Sequence, residues 1–251
     1  MKRQKIRKGI LIMSLLFFPV TLYYFSPALI ISAGLQGIIN GSFFVFMVQF
    51  VLSIPFGRVF CAWFCPAGAL QECAFSVNDG RPGHRFGNVI KYVIWVIWLA
   101  GVIYCYFHGK ETLEADFFFE TEHGISVSSI QSYVIYYGIL CLILIPALLF
   151  GKRAFCHYFC WMAPFMALGM KLRGILHLPG LHIQVRDKAQ CVSCGKCSKE
   201  CPMSLPVQEM VQAGHIGNAE CIQCGSCIDG CPHHILGYGM RSQNHGDGEK
   251  T

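Results

Sequence analysis

From Gly9 to Gly57 the chain carries no charged side chain, a stretch about twice the roughly 20 residues that cross a bilayer once. It reads as two helices. The return falls in Gly34-Leu35-Gln36-Gly37 and Asn40-Gly41, where glycine and polar residues favour a tight turn. Spans are therefore predicted near residues 10 to 32 and 38 to 57, with Pro19 and Pro27 as kinks in the first that neighbouring helices absorb. Two further apolar runs, from about Val89 to Phe107 and from about Ser129 to Phe150, are each long enough to span. Composition agrees, since 54% hydrophobic and 14% charged residues over 251 positions is too apolar for an ordinary soluble domain. A basic start followed by an apolar run ending at Ile31-Ser32-Ala33 also has the form of a cleaved signal peptide. The run exceeds the roughly 7 to 15 residues of a signal core, so a retained span is preferred.

Flanking charge sets the expected direction. Lys2, Arg3, Lys5, Arg7 and Lys8 precede the first span; Arg58, Arg81, Arg85 and Lys91 lie between the second and third; Lys152, Arg153, Lys171 and Arg173 follow the fourth. All three segments read as cytoplasmic. The connection after the third span carries Glu111, Glu114, Asp116, Glu120 and Glu122 against Lys110 and reads as external. The expected location is the inner (cytoplasmic) membrane, multi-pass, with both termini inside. The net charge of +6 is thus accounted for by membrane flanks, and no nucleic-acid partner is expected.

Eight of the fifteen cysteines fall in two short runs. Cys191, Cys194, Cys197 and Cys201 precede Pro202, and Cys221, Cys224, Cys227 and Cys231 precede Pro232, so that each run is C-x2-C-x2-C-x3-C-P, the spacing of bacterial ferredoxins. Three closely spaced thiolates wrap one cubane, while the fourth points away and serves the other. The predicted ligand sets are Cys191, Cys194, Cys197 with Cys231, and Cys221, Cys224, Cys227 with Cys201, for two 4Fe-4S clusters in a reducing compartment. Gly195 and Gly225 permit the tight turns, and residues from Pro206 to Ala213 suit a short helix closed by Gly214. Zinc also takes paired cysteines, but in two pairs rather than in three ligands plus a Cys-Pro, repeated. No C-x-x-C-H for covalent haem occurs.

A second repeat stands where the second and fourth spans end. Phe56-Gly57-Arg58 leads to Cys61 and Cys65, and Phe150-Gly151-Lys152-Arg153 leads to Cys156 and Cys160. On a helix, cysteines at i and i+4 share one face roughly 5 to 6 Å apart, so these four thiols are candidates for a third metal centre, for separate sites, or for dithiol cycling. A duplicated helix end with inert buried thiols is the plain alternative. Cys73, Cys105 and Cys141 read as packing residues. Residues from Trp161 to Leu178 suggest an interfacial amphipathic helix or a core helix beneath the cysteine-rich domain. Trp95 and Trp98 read as helix packing or lipid contacts, and His108 and His123 as loop histidines within reach of a quinol role.

With these motifs on the page, the chain resembles the membrane-bound polyferredoxins of the NapH type, and shares parts of its pattern with the NosR and CcoG families. The residues that carry the likeness are Cys61, Cys65 and Pro66, the pair Cys156 and Cys160, and both C-terminal runs. One departure is that proline follows the second pair only at Pro164, three residues late, so the chain leaves the two pairs differently. The resemblance implies an electron-transfer subunit of a quinol dehydrogenase. Its expected associates are the lipid bilayer, a redox partner such as a ferredoxin, cytochrome or reductase, and a quinone. Copper reduction in support of metalloenzyme assembly, and redox sensing, are the competing functions. The expected fold is a membrane α-helical protein of four transmembrane helices with a C-terminal α+β two-cluster ferredoxin-like domain. Its expected parts are a transmembrane domain (1–160), a connector (161–185), the ferredoxin domain (186–238) and a polar tail (239–251).

Overall fold

A computed structural model of the chain describes residues 2–82, 84–109 and 114–240. Lys110 and Glu111 of the acidic connection, and the tail from residue 241, lie outside the described residues. In chain order the elements are α1 (Lys2–Leu16), α2 (Phe18–Thr21), a 3-10 turn (Tyr23–Phe25), α3 (Pro27–Leu35), β1 (Ile38–Asn40), α4 (Gly41–Phe56), α5 (Val59–Trp63) and α6 (Pro66–Cys73). A second 3-10 turn (Ala74–Ser76) precedes α7 (His84–His108), β2 (Glu114–Asp116), α8 (Ile130–Phe150), α9 (Ala154–Tyr158) and α10 (Met162–Ile175). The chain closes with β3 (His182–Val185), α11 (Lys196–Lys199), α12 (Val207–Gln212), α13 (Ser226–Gly230) and β4 (Leu236–Gly239).

The first apolar run departs from the single kinked span expected of it. Pro19 sits in the first turn of α2, and Pro27 opens α3 after Ser26 has turned extended at φ −87, ψ 118. Proline clashes with a helical residue before it and offers no N–H to the ladder, so the chain restarts its helix rather than bending it. The Ser26 hydroxyl caps the new start by accepting from the Leu29 N–H at 3.4 Å. Helix α4 has 16 residues, about 24 Å of rise against a hydrocarbon core of about 30 Å. Val89–His108 of α7 and all of α8 are long and apolar enough to cross a membrane, with mean hydropathies of 1.8 and 2.4. Among the described residues two helices therefore meet that criterion, and the expectation of four transmembrane helices is not supported.

The chain divides into two compact units, the second of which comprises Leu11–Gln49 and Cys65–Phe165. Its interior is aromatic. Phe46 packs 5.9 Å from Trp98 and 5.5 Å from Phe165, whose ring also meets Trp95 at 5.3 Å. The Trp98 indole donates to the Pro27 carbonyl at 2.9 Å, which makes these tryptophans packing residues. At one end β1 and β2 pair in parallel, Ile38 beside Glu114 through Asn40 beside Asp116. Helix α8 starts on a reciprocal Ser129–Ser132 capping box and ends at Gly151, φ +93, which lies against the Gly80 carbonyl. Only a residue without Cβ fits there.

The first unit comprises Met1–Ile10, Phe50–Phe64 and Met166–Thr251. Strands β3 and β4 pair antiparallel from His182–Gly239 to Val185–Leu236, and Ile183 and Leu236 of these strands are buried, as are Met203, Leu205, Val211 and Ile222. Helix α12 is followed by Gly214 at φ +87, in the left-handed closing position. The Pro55 carbonyl accepts the Leu181 N–H at 2.7 Å, tying the end of α4 to the entry of β3. From α1, Arg3 pairs with Asp229 at 2.6 Å, and Gln4 donates to Asp229 and to the Cys224 carbonyl.

Candidate functional site

The two C-terminal runs fold alike. Ser193 and Gln223, each just before a middle cysteine, have φ +54 and +55; Gly195 and Gly225, just after it, have +73 and +74; Ser204 and His234, three residues past each fourth cysteine, have +53 and +51. Four non-glycine residues in the left-handed region cost of order 1 kcal/mol or more each. A chain adopts such a sequence of torsions to turn backbone N–H groups inward, as in anion-binding nests. In both runs the third cysteine lies in a short helix, α11 or α13, that begins directly after the glycine, and the fourth cysteine follows that helix.

Cys191, Cys194, Cys197 and Cys231 line one pocket, whose apolar wall includes Val211, Ile235 and Leu236. The Cys227 thiol is held well above its ordinary pKa, by burial first and then by the nearby sulfurs of Cys224, Cys221 and Cys201. Cys221 is pushed up to about 12, again chiefly by burial, although the Gln223 N–H bonded to its sulfur and the charge of Arg58 work the other way. Cys197 is raised by burial as well. Thiols this crowded ionise only when a cation shares their space, as iron does on ligation. Thiols of the two runs stand together in two groups, Cys231 with Cys191, Cys194 and Cys197 and Cys201 near Cys221, Cys224 and Cys227, and all fifteen cysteines of the chain are free. This donor chemistry fits a cubane cluster in each group.

The pairs Cys61/Cys65 and Cys156/Cys160 have a different local form from the one-faced helix expected of them. Cys61 lies in α5, Phe64 ends that helix at φ −125, ψ −12, and Cys65 is extended at φ −75, ψ 117 before Pro66 opens α6. Cys156 lies in α9, Phe159 ends it at φ −125, ψ −10, and Cys160 follows outside the helix. The phenylalanine torsions agree to within 2° in ψ, so the two halves repeat in backbone as well as in sequence. The late proline matters little to this, because α10 starts at Met162, two residues past Cys160. All four thiols are buried.

Around them stand side chains that spacing alone did not reveal. Gln71, 0% exposed, donates from Nε2 to the Cys156 sulfur at 3.2 Å and accepts the Phe155 N–H at 3.1 Å. Arg153, also fully buried, pairs with Glu72 at 2.6 Å. Burial works to lower its pKa, yet Glu72, Cys156 and Cys65 outweigh that and hold the guanidinium above its ordinary value. Arg58, three residues before Cys61 as Arg153 is before Cys156, is buried and pairs with Glu220 at 2.8 Å, the residue preceding Cys221. Cys61 Sγ lies 3.5 Å from Met166 Sδ. His157, between the second pair, is fully buried. A second signal of these roles was present in the sequence: an arginine at the same offset before each cysteine pair, which the fold pairs with Glu220 and Glu72. Cys105 is buried, as a packing residue should be, whereas Cys73 and Cys141 are exposed, and His108 stacks on Tyr104 at 4.3 Å.

Comparison with known proteins follows the same division. Residues 183–232 match a 4Fe-4S dicluster domain, and residues 41–83 and 134–179, which contain Cys61/Cys65 and Cys156/Cys160, match a 4Fe-4S binding domain. An Escherichia coli protein named as a candidate electron transport protein, YccM, is 30% identical over 176 residues, covering 64% of this chain and 46% of its own length. Two uncharacterized Methanocaldococcus jannaschii proteins are each 24% identical, over 174 and 173 residues, covering 65% and 66% of this chain and 66% and 59% of their own. The chain thus spans about half the length of the first of these relatives and under two thirds of the others. No solved structure matches it. The chain carries ferredoxin-type 4Fe-4S domains, and two 4Fe-4S clusters are its cofactors.

Proposed function

We propose that this chain is a membrane electron-transfer protein that passes electrons between the quinone pool, or a membrane partner, and an oxidoreductase. Cys191, Cys194, Cys197 and Cys231 hold one cluster and Cys221, Cys224, Cys227 and Cys201 the other. Helices α7 and α8, with the broken first run and α4, form the membrane part, and the ferredoxin domain stands on the cytoplasmic side of the inner membrane. The pairs Cys61/Cys65 and Cys156/Cys160 carry a further iron–sulfur or metal centre, as in the NapH-type polyferredoxins the sequence resembles. The observation that carries the reading is the pocket of unit one that Cys231 lines together with Cys191, Cys194 and Cys197. The match of both membrane-side segments to a 4Fe-4S binding domain adds support for the further centre.

Iron and acid-labile sulfide on anaerobically purified protein test it. About eight of each per chain are expected from two cubanes, and about twelve if the membrane-side pairs hold a third. Near-zero iron after anaerobic reconstitution would sink the reading. A copper reductase or assembly role is favoured by one observation, the thioether of Met166 beside the Cys61 thiol, since soft sulfur donors of both kinds select Cu(I). Stoichiometric copper, lost on replacing Met166 and Cys61 with the C-terminal clusters intact, would mark that role.

A further inference from the structure

A cavity of about 550 Å³ opens in the first unit, walled by the end of α10, by β3 and by residues 216–223. Its volume is that of a small-molecule site. Part of its wall is apolar, from Ile183 and Ile216, and part is basic, from Arg173 and His182. Cys221, predicted to hold the second cluster, forms another part of the wall.

Two of its lining side chains are under-used. Arg173 is 5% exposed, donates to the Leu181 carbonyl at 3.2 Å and has no carboxylate partner among the described residues. Buried cations without a counter-charge are costly and are retained where something binds them. Gln223, 2% exposed, donates to the same Leu181 carbonyl at 2.9 Å, so it neighbours Arg173, while its Oε1 meets no donor among the described residues. One wall therefore offers donors and an acceptor together. His182 Nδ1 lies 3.0 Å from the Gly180 carbonyl. The tautomer that donates there leaves Nε2 as a proton acceptor.

We propose that this cavity binds the ring of a quinone or quinol beside Cys221, with Arg173 as the cation that receives a ring oxygen and His182 as the group that exchanges a proton with it. This rests on the reading of the chain as an iron–sulfur electron carrier and names where its membrane-soluble substrate meets the second cluster. Oxidation of a quinol breaks two O–H bonds. One proton passes to His182 and one to water at the cavity mouth, and the clusters that the eight ferredoxin cysteines would hold would take up the two electrons singly. Reduction of a quinone is the same step reversed. An apolar cavity wall suits the ring, and Arg173 supplies a charge-assisted hydrogen bond that strengthens as charge develops on the oxygen.

The test uses the full chain in detergent with its clusters reconstituted, and menadione and a short-chain ubiquinone as probes. Binding is read by equilibrium dialysis, and the reduced clusters by EPR. Arg173→Met should weaken binding at least tenfold, with Arg173→Lys intermediate. Gly174→Leu offers a variant that keeps the fold, because a Cβ at Gly174 meets no atom within 4 Å; filling the cavity should abolish binding with iron content unchanged. Added quinone should alter the EPR line shape of one cluster in the parent chain and of neither in Gly174→Leu. His182→Gln should leave binding intact and slow cluster reduction by the quinols. Binding that survives both Arg173→Met and Gly174→Leu overturns the proposal. So does binding lost instead on changing Gln49 or Trp95, whose buried Nε2 and Nε1 lack acceptors in the aromatic interior of the other unit. Displacement of the probe from Arg173 by phosphatidylglycerol, with no quinone effect on EPR, would make this a lipid headgroup site and overturns it too. If no quinone binds but dithionite-reduced clusters still pass electrons to a dye, the cavity assignment fails and the electron-carrier reading stands; if no clusters form, both fail.

Discussion

Arg153 stands at left-handed torsions, φ +46, fully buried, with Glu72 as its ion-pair partner. Two buried charges are costly to desolvate, and removal of one leaves the other uncompensated at a cost of about 3 to 5 kcal/mol, whereas removal of both can be near neutral. Glu72→Gln should therefore lower the unfolding midpoint in detergent more than the double change Glu72→Gln with Arg153→Met. A double variant as unstable as the single one would show that the pair does not act as a unit. Gln71 bears on function more directly. Its amide is the side-chain donor on the Cys156 sulfur, and hydrogen bonds to sulfur raise the potential of iron–sulfur centres. If the pairs carry a metal centre, Gln71→Leu should move that centre's midpoint potential downward while leaving the ferredoxin clusters where they are. A redox titration followed by EPR reads both at once. Gln71 could not be singled out from the sequence, because a glutamine six residues after Cys65 looks like ordinary loop chemistry until the fold closes over it, whereas Arg153 was marked only by the offset before Cys156 that Arg58 shares before Cys61.

At the scale of the elements, periodicity served well where helices are long. The apolar runs near 89–107 and 129–150 became Val89–His108 and Ile130–Phe150, and the short helix expected after Pro206 appeared as α12, ending before Gly214. It served badly at 10–32, where two prolines interrupt the ladder so close together that α1, α2 and α3 form in place of one kinked span. The same limit applies to the cysteine pairs. Spacing of four residues suggested one helical face, but the helix ends at Phe64 and at Phe159, and only the chain torsions show that the fourth residue steps off it. The C-terminal end of α8 depends on Gly151, whose φ of +93 and contact with the Gly80 carbonyl exclude a Cβ. Gly151→Ala should destabilise the protein by more than the roughly 1 kcal/mol of left-handed strain alone, because the Lys152 N–H bond to Gly80 at 2.9 Å would be displaced with it. Gly138→Ala, in the middle of the same helix where a Cβ meets nothing within 4 Å, is the matched comparison and should be neutral or stabilising. Equal thermal shifts for the two would refute the account.

For the molecule as a whole, charge was the least transparent feature of the sequence. Arg7, Arg58, Lys91, Lys152, Arg153 and Arg173 were counted toward orientation as flanking cations, yet all six are buried. Arg7 donates to the Ala62 carbonyl, and Arg58, Lys152 and Arg153 reach carboxylates. They answer to internal partners as well as to any membrane potential, which leaves Lys2, Lys5, Lys8, Arg81 and Lys171 as exposed flanking cations. The cysteine spacing, by contrast, carried a three-dimensional expectation, that each run lends its fourth thiol to the other's cluster. Cys231 reaches the pocket of Cys191, Cys194 and Cys197, and Cys201 stands among the sulfurs that act on Cys221 and Cys227. Cross-sharing makes a wiring prediction. Cys201→Ser should damage the cluster of Cys221, Cys224 and Cys227, and Cys231→Ser that of Cys191, Cys194 and Cys197. Arg58 is the charge that acts on Cys221, so Arg58→Met should shift the potential of the cluster that Cys201→Ser damages and spare the one that Cys231→Ser damages. Making the Arg58 change in each serine background separates the two signals by EPR. If the Arg58 shift persists undiminished when Cys201 is replaced and vanishes when Cys231 is replaced, the ligands run within each run rather than across.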